Sequence, residues 1–350
     1  MPLFETRDVV VSLERMAGVV DADVDAGRVT VLPGTGMAAL GEALAAHGLA
    51  VANMGDVDYQ TIAGAIGTGT HGSGASFGNL SSMVVGGRLV TASGNVVPFG
   101  HGAPDDFSGD LLRAVQVSMG ALGVLSSLTF QVEPAQELHR LNWCTHIDWV
   151  LEHFDELVQG NRHFDFYWYP RSDMAQVRTM NIPGEEPDLV PPGVVHADET
   201  GPSRQIIPNE RDLRYEEMEY MVPYDPDLKC FRAARERIKD RHRQYVGWRV
   251  LVRTIAEDQA MLSPCHGRPT MSIALLQNQT LPHVPYFRDM EPLFQRHDGR
   301  PHWGKKHTMT SSQLSACYPD WDRFQSIRSS LDPDGVFLNE YLAELLGAQR

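Results

Sequence analysis

Residues 53–74 read NMGDVDYQTIAGAIGTGTHGSG, with six glycines set among mostly small and polar residues. Glycine reaches left-handed backbone conformations without steric cost and lets another surface approach the main chain. A chain with this many glycines in one stretch must build either a set of tight turns or a cradle of bare amides around a ligand's phosphate or ring. The stretch contains no lysine or arginine. A pyrophosphate held there would be met by backbone N–H groups and by the hydroxyls of Thr61, Thr68 and Thr70, not by a fixed cation.

The rest of the composition narrows the partner. A formal charge of −15 and a pI near 5.3 argue against nucleic acid or an anionic membrane, because both demand clustered cations. No window approaches eighteen apolar residues. Met1-Pro2-Leu3-Phe4-Glu5 lacks the basic and apolar regions of a signal peptide, so a cytoplasmic protein is expected. Cys144, Cys230, Cys265 and Cys317 are scattered without CxxC spacing and read as reduced, structural thiols. With 350 residues, the chain is expected to form one large domain or two intimate ones.

Periodicity predicts an α+β domain ending near Pro134. Residues 9–13 and 28–32 read as strands, and Thr35 is placed to cap a helix over 36–47 that buries Leu40 and Leu44 and stops at Gly48. Residues 49–52, 83–91, 96–97 and 125–132 read as further strands, with a hairpin turning at Ser93-Gly94-Asn95. Beyond them, 163–169 is an aromatic strand, 183–202 an exposed loop, 227–245 a helix with a solvated charged face, and 271–276 a buried strand. A last helix follows Trp321, with Phe324, Ile327 and Leu331 on one side.

Several motifs point elsewhere and fail. Gly34-Thr35-Gly36-Met37-Ala38-Ala39 mimics a dinucleotide fingerprint, but Pro33 interrupts the junction and no βαβ repetition follows. There is no GxSxG elbow for a hydrolase. His302 and His307 lack a third ligand at metal-binding spacing, so no metal is expected.

Arg300-Pro301-His302-Trp303-Gly304-Lys305-Lys306-His307 and the run 331–339, together with the glycine cradle, residues 117–124, 219–223 and 253–258 in that family order, resemble the aldonolactone and alditol oxidases. These are flavin enzymes of vanillyl-alcohol-oxidase type. The resemblance implies an FAD-binding domain over 1–134, a substrate (cap) domain over 135–315 with an antiparallel sheet flanked by helices, and a helical segment over 316–350 packing back on the first. It implies FAD contacts at Gly55, Asp56, Thr61, Gly64, Thr68, Gly69, Thr70, His71, Val124 and Leu125. It also implies substrate contacts at Asp56, His302, Arg253 and Lys305, with the last two as the cations that stabilise charge during oxidation. Gly55 stands where an alanine would shield the flavin from dioxygen in this family, which implies an oxidase releasing hydrogen peroxide.

The sequence departs from the alditol oxidases at the substrate face. Leu251, Ala274 and Leu276 stand where those enzymes carry a glutamate, a histidine and a threonine, and Asp56 replaces a serine. An aldono-1,4-lactone therefore fits better than an open-chain alditol, and Asp56 could either bind a polyol or cap a turn. The family's first phosphate-binding segment, with its flavin-attachment histidine, has no counterpart after Met1. A shortened family member holding FAD non-covalently is expected, with a non-catalytic remnant or a dehydrogenase using another electron carrier as the alternatives.

Overall fold

The computed structural model describes residues 9–103, 108–209 and 213–348. The leading Met1 to Thr6 read in the sequence lies outside them. In chain order the first seven strands are β1 (Val19–Asp23), β2 (Arg28–Val31), β3 (Leu49–Ala50), β4 (Val84–Val90), β5 (Val96–Gly100), β6 (Val124–Gln131) and β7 (Glu133–Pro134). Five of them form a sheet in the order β1-β2-β6-β4-β5, and β3 pairs with β7. Helix α1 (Met37–Ala45) buries Met37, Leu40 and Leu44, and Gly48 at φ +70 ends the turn beyond it. The short helix α2 (Ile62–Gly67) lies inside the glycine run.

The remaining strands, β8 (Glu137–His146), β9 (His163–Tyr169), β10 (Met174–Asn181), β11 (Val194–Pro202), β12 (Tyr215–Pro223), β13 (Val250–Ile255), β14 (Thr270–Asn278) and β15 (Arg300–Pro301), build one antiparallel sheet. Their order is β11-β8-β10-β9-β13-β14-β12-β15. This is the antiparallel sheet expected for the substrate domain. Because side chains alternate across a strand, the register decides what each face carries. Arg178 pairs with Asp165, Asp165 with Arg253 and Arg253 with Ser272. Leu251 pairs with Tyr167 and Ala274, Ala274 with Glu219, and Leu276 with Glu217. One face thus carries Asp165, Arg178, Glu217, Glu219 and Arg253. The opposite face presents Phe166, Trp168 and Tyr220, whose rings meet Phe231 of the helix Lys229–Arg241 and Phe294 of the helix Val284–Arg296.

Three local expectations are corrected. Residues 9–13 form no strand, and Val9, Val10 and Val11 are exposed, because a β-branched run makes a strand only where a partner edge accepts its hydrogen bonds. Thr35 does not cap α1. Its hydroxyl donates to Leu32 O at 2.6 Å and accepts from Gly18 N at 2.9 Å, and Gly36 takes the cap position without a side-chain bond. The stretch 183–202 is not all loop: its second half is β11, an edge strand whose exposed residues leave no apolar alternation to read. Among the described residues no helix is long and apolar enough to cross a membrane.

Candidate functional site

The charged sheet face meets the glycine run at a small cavity of about 110 Å³. Gly55, Asp56, Gln60, Thr68, Thr70 and His71 come to it from the glycine run. Tyr215, Glu217, Glu219, Leu251 and Arg253 come from the sheet, and His302, Gly304 and Lys305 from the loop after β15. The sequence expectation named Gly55, Asp56, Thr68, Thr70, His71, Arg253, His302 and Lys305, and the fold brings all eight to this one place.

Glu219 lies at the centre of the cluster and is fully buried. Its Oε1 accepts from Arg253 Nη2 at 2.6 Å and lies 3.2 Å from His71 Nε2. Burial alone would raise its pKa, but the Arg253 guanidinium and His71 outweigh burial and hold it well below the usual carboxylate range. Burial likewise opposes the charge on Arg253, and Glu219, Asp56 and Glu217 overcome it, so the guanidinium is more firmly protonated than usual. Lys305 donates to Glu217, and Glu217 and Glu219 raise its pKa against the burial that would lower it. Two fixed cations, each held by its own buried carboxylate, therefore line the cavity.

Asp56 lines the cavity and is tied to the sheet beneath it. Arg178 Nη2 donates to its Oδ1 at 2.6 Å and to Asp165 Oδ2 at 2.6 Å, while Tyr167 Oη donates to Asp56 Oδ2 at 3.0 Å. Ser73 Oγ donates to Asp165 Oδ2 at 3.2 Å. Both limbs of the glycine run are thereby clasped to β9 and β10 by a buried charge network. Beside it, Tyr167, Leu251, Ala274 and Leu276 form a small apolar cluster apart from the main core.

A second cavity, about 330 Å³, opens on the far side of the Gly67-Thr68 turn. It is lined by Gly67, Met119, Gly123, Val124, Leu125 and the returning segment Phe337-Leu338-Asn339, among others. Val124 and Leu125 therefore sit away from the charged cavity. A Cβ on Gly67 would have no neighbour nearer than Met119 N at 3.9 Å, so the backbone there is bare on its open side. Thr61 and Gly64 are exposed and line neither cavity. Gly69 holds φ +69. Gly72 is glycine for a different reason: a Cβ there would lie 2.2 Å from Asn53 Oδ1 and 2.3 Å from Met54 O, so the two limbs pack backbone against backbone. Two cavities joined by a turn with bare backbone and hydroxyls fit a long ligand with an uncharged end and a reactive end, and FAD has that shape.

His71, Glu219 and His302 place donor atoms within 4.8 Å of one another, a spacing a metal ion could use. Arg253 already occupies Glu219, and with Lys305 adjacent a dication would be repelled, so the cluster reads as an ion-pair centre. A larger cavity, about 840 Å³, lies between α1 and 202–209, and among the described residues its charged lining is Glu42, Asp58 and Arg204. Glu217, Glu219, Arg178 and Asp165 were missed as site residues. The legible signal for the first two was that Glu217 and Glu219 stand two residues apart, on one face of a strand whose second half is apolar.

The D-arabinono-1,4-lactone oxidase family model matches residues 128–195 and 194–345, and an FAD binding domain model matches 2–100. The chain is 37% identical to L-gulono-1,4-lactone dehydrogenase of Mycobacterium tuberculosis, over 98% of this chain and 87% of that one. It is 31% identical to alditol oxidase of a Streptomyces species, over 97% and 86%. It is 26% identical to L-gulonolactone oxidase of Bos taurus, over 97% and 86%. Cholesterol oxidase from Brevibacterium sterolicum shares the fold, with a TM-score of 0.81 over 96% of this chain and 84% of that one at 16% identity. With the glycine cradle, the antiparallel cap sheet and the family model all in agreement, the chain belongs to the D-arabinono-1,4-lactone oxidase family of FAD-dependent oxidoreductases.

Proposed function

We propose that the chain oxidises a C–OH carbon of a sugar-derived aldono-1,4-lactone with dioxygen as acceptor, giving hydrogen peroxide. The observation that carries this reading is the convergence of Arg253 and Lys305, each paired to a buried carboxylate, beside the glycine cradle. FAD, when bound, supplies the acceptor for the hydride that leaves the carbon. Gly55, Asp56, Thr68, Gly69, Thr70 and His71 would surround its reactive end, and Val124 and Leu125 its far end, non-covalently. Thr61 and Gly64 contribute through the turn of α2 and not through direct contact. Arg253 and Lys305 then stabilise the negative charge that grows on the substrate oxygen as its proton departs. The apolar cluster of Tyr167, Leu251, Ala274 and Leu276 disfavours the extra hydroxyls of an open-chain alditol. We assign residues 1–134 to the FAD domain, 135–315 to the cap and 316–350 to a returning helical segment, in a cytoplasmic protein.

The name of the mycobacterial relative favours a second reading, a dehydrogenase that hands electrons to a carrier. Gly55 separates the two readings. A Cβ at Gly55 would lie 3.0 Å from Thr70 Cγ2, so alanine is tolerated only if Thr70 gives way. Gly55→Ala combined with Thr70→Ser removes that contact. For an oxidase, the double variant should lose peroxide formation about tenfold or more while sparing dye reduction on L-gulono- or D-arabinono-1,4-lactone. Unchanged peroxide output would sink the gating role of Gly55, and little peroxide beside strong dye reduction in the parent would support the carrier-dependent reading. Turnover of xylitol or sorbitol but no lactone would reverse the substrate order.

A further inference from the structure

We infer that His302 is a neutral imidazole locked in the Nε2–H tautomer, and that it serves the cavity as a hydrogen-bond donor to a substrate oxygen and not as the base that removes the hydroxyl proton. The inference rests on the lactone-oxidising reading above. Its ground is a single asymmetric contact: the backbone N–H of Gly304 points at His302 Nδ1, 2.9 Å away. A peptide N–H can only donate, so Nδ1 must present its lone pair, and a proton on Nδ1 would set two donors against each other. The one proton of the neutral ring is then on Nε2, the nitrogen left for a molecule in the cavity that His302 lines.

The ring is held in this orientation from several sides. His302 N donates to Glu219 O at 3.0 Å and Lys305 N to His302 O at 3.0 Å, fixing the backbone on both sides of the residue. A Cβ on Gly304 would stand 3.2 Å from His302 Cε1 and 3.4 Å from Thr68 Oγ1, so the loop closes tightly over the ring. The charged groups around it are His71 from the glycine run, Glu217 and Glu219 from β12, Arg253 from β13 and Lys305 from its own loop. Burial pushes His302 well below its ordinary pKa. Glu219 pulls the other way, and Lys305, His71 and Arg253 add to the downward push. A neutral donor suits this place, because a third cation beside Arg253 and Lys305 would repel both.

The test is ¹⁵N NMR of the full chain labelled at histidine, with the His302 signals assigned by their loss in His302→Asn. The expected result is one protonated nitrogen, Nε2, unchanged from about pH 5.5 to 8.5, where an ordinary imidazole titrates. A proton on Nδ1, or a titration within that window, overturns the inference. Two variants add a kinetic readout. His302→Gln keeps a donor near Nε2 but loses the Gly304 contact, whereas His302→Asn keeps an acceptor near Nδ1 and loses the donor. A donor role predicts that His302→Asn raises KM for the lactone about tenfold while His302→Gln stays within about threefold of the parent. The reverse order would assign the histidine to holding the loop and overturn the donor role. Absence of lactone turnover in the parent would sink the substrate reading alone, since the NMR result stands apart from it.

Discussion

The two cavities on either side of the Gly67-Thr68 turn differ most in charge. The one at Arg253 is lined by Asp56, His71, Glu217, Glu219, His302 and Lys305 as well. Among the described residues, those lining the one at Val124 include no acidic, basic or histidine side chain. Proximity to the same glycine-rich segment therefore does not set the chemistry of a cavity; the opposite wall does. At the reactive end that wall is a sheet face charged at alternate residues, and at the far end it is aliphatic side chains and backbone. A ligand bridging both would be gripped by shape and amides at one end and worked on electrostatically at the other.

The sharpest way to break this division is to discharge the reactive end alone. Lys305→Met should lower kcat by about 10²- to 10³-fold, the usual size of effect for one preorganised electrostatic group, and leave FAD affinity nearly unchanged. Because it also strands the Glu217 carboxylate in a mostly buried site, Lys305→Met/Glu217→Gln serves as the control for stability. If FAD affinity falls as far as kcat in both variants, the cavities do not divide the work as described.

How much of this was open to reading differs between the two walls. The glycine run declares itself in sequence because its cause is local: Gly69 needs φ +69, and Gly72 has no room for a side chain. Arg253 and Lys305 were legible only through resemblance to a family, since a lone cation in a strand and another in a loop carry no joint signal. Arg178 was not legible at all. Its partner Asp56 lies 122 residues earlier in the chain, and the contact exists only because the antiparallel sheet swings β10 beneath the glycine run. The misread valines at 9–13 make the complementary point: strand propensity was present, but no strand edge was there to receive it.

The far cavity yields to the opposite experiment. Gly67→Leu adds a side chain where, outside its own helix and chain neighbours, the nearest described atom to a Cβ is 3.9 Å away, so the Cβ is accepted while the cavity loses volume. FAD affinity, followed by flavin fluorescence, should weaken on the order of tenfold, or about 1.4 kcal/mol. The rate at saturating FAD should hold within about threefold, because no charged group has moved. Equal loss of rate and affinity would mean that the far wall positions the reactive end, and the comparison would need redrawing.

The smallest effect concerns acid stability, and it too falls unevenly, because the groups that titrate between pH 4 and 6.5 lie outside the far cavity. His163, whose Nδ1 lies 2.8 Å from Ser73 O, is pushed down to about 4, chiefly by burial, and burial does the same to His307. Each folded-state value lies below the unfolded 6.5, so their contribution is complete above 6.5 and is lost as pH falls toward about 4. Asp258 runs the other way. Burial raises it to about 6 against the pull of the Ser263 hydroxyl and the Ala260 amide, so its contribution is complete below 3.8 and is lost as pH rises through 6. The lowered histidines, His302 and His266 among them, outnumber the raised carboxylates Asp258 and Asp165. Stability should therefore fall on acidification through this window. In His163→Gln the loss of stability across the window should be shallower than in the parent by about one proton, near 1.4 kcal/mol per pH unit, read from urea midpoints. A slope unchanged from the parent would mean that His163 is not the group through which acid loosens the glycine run.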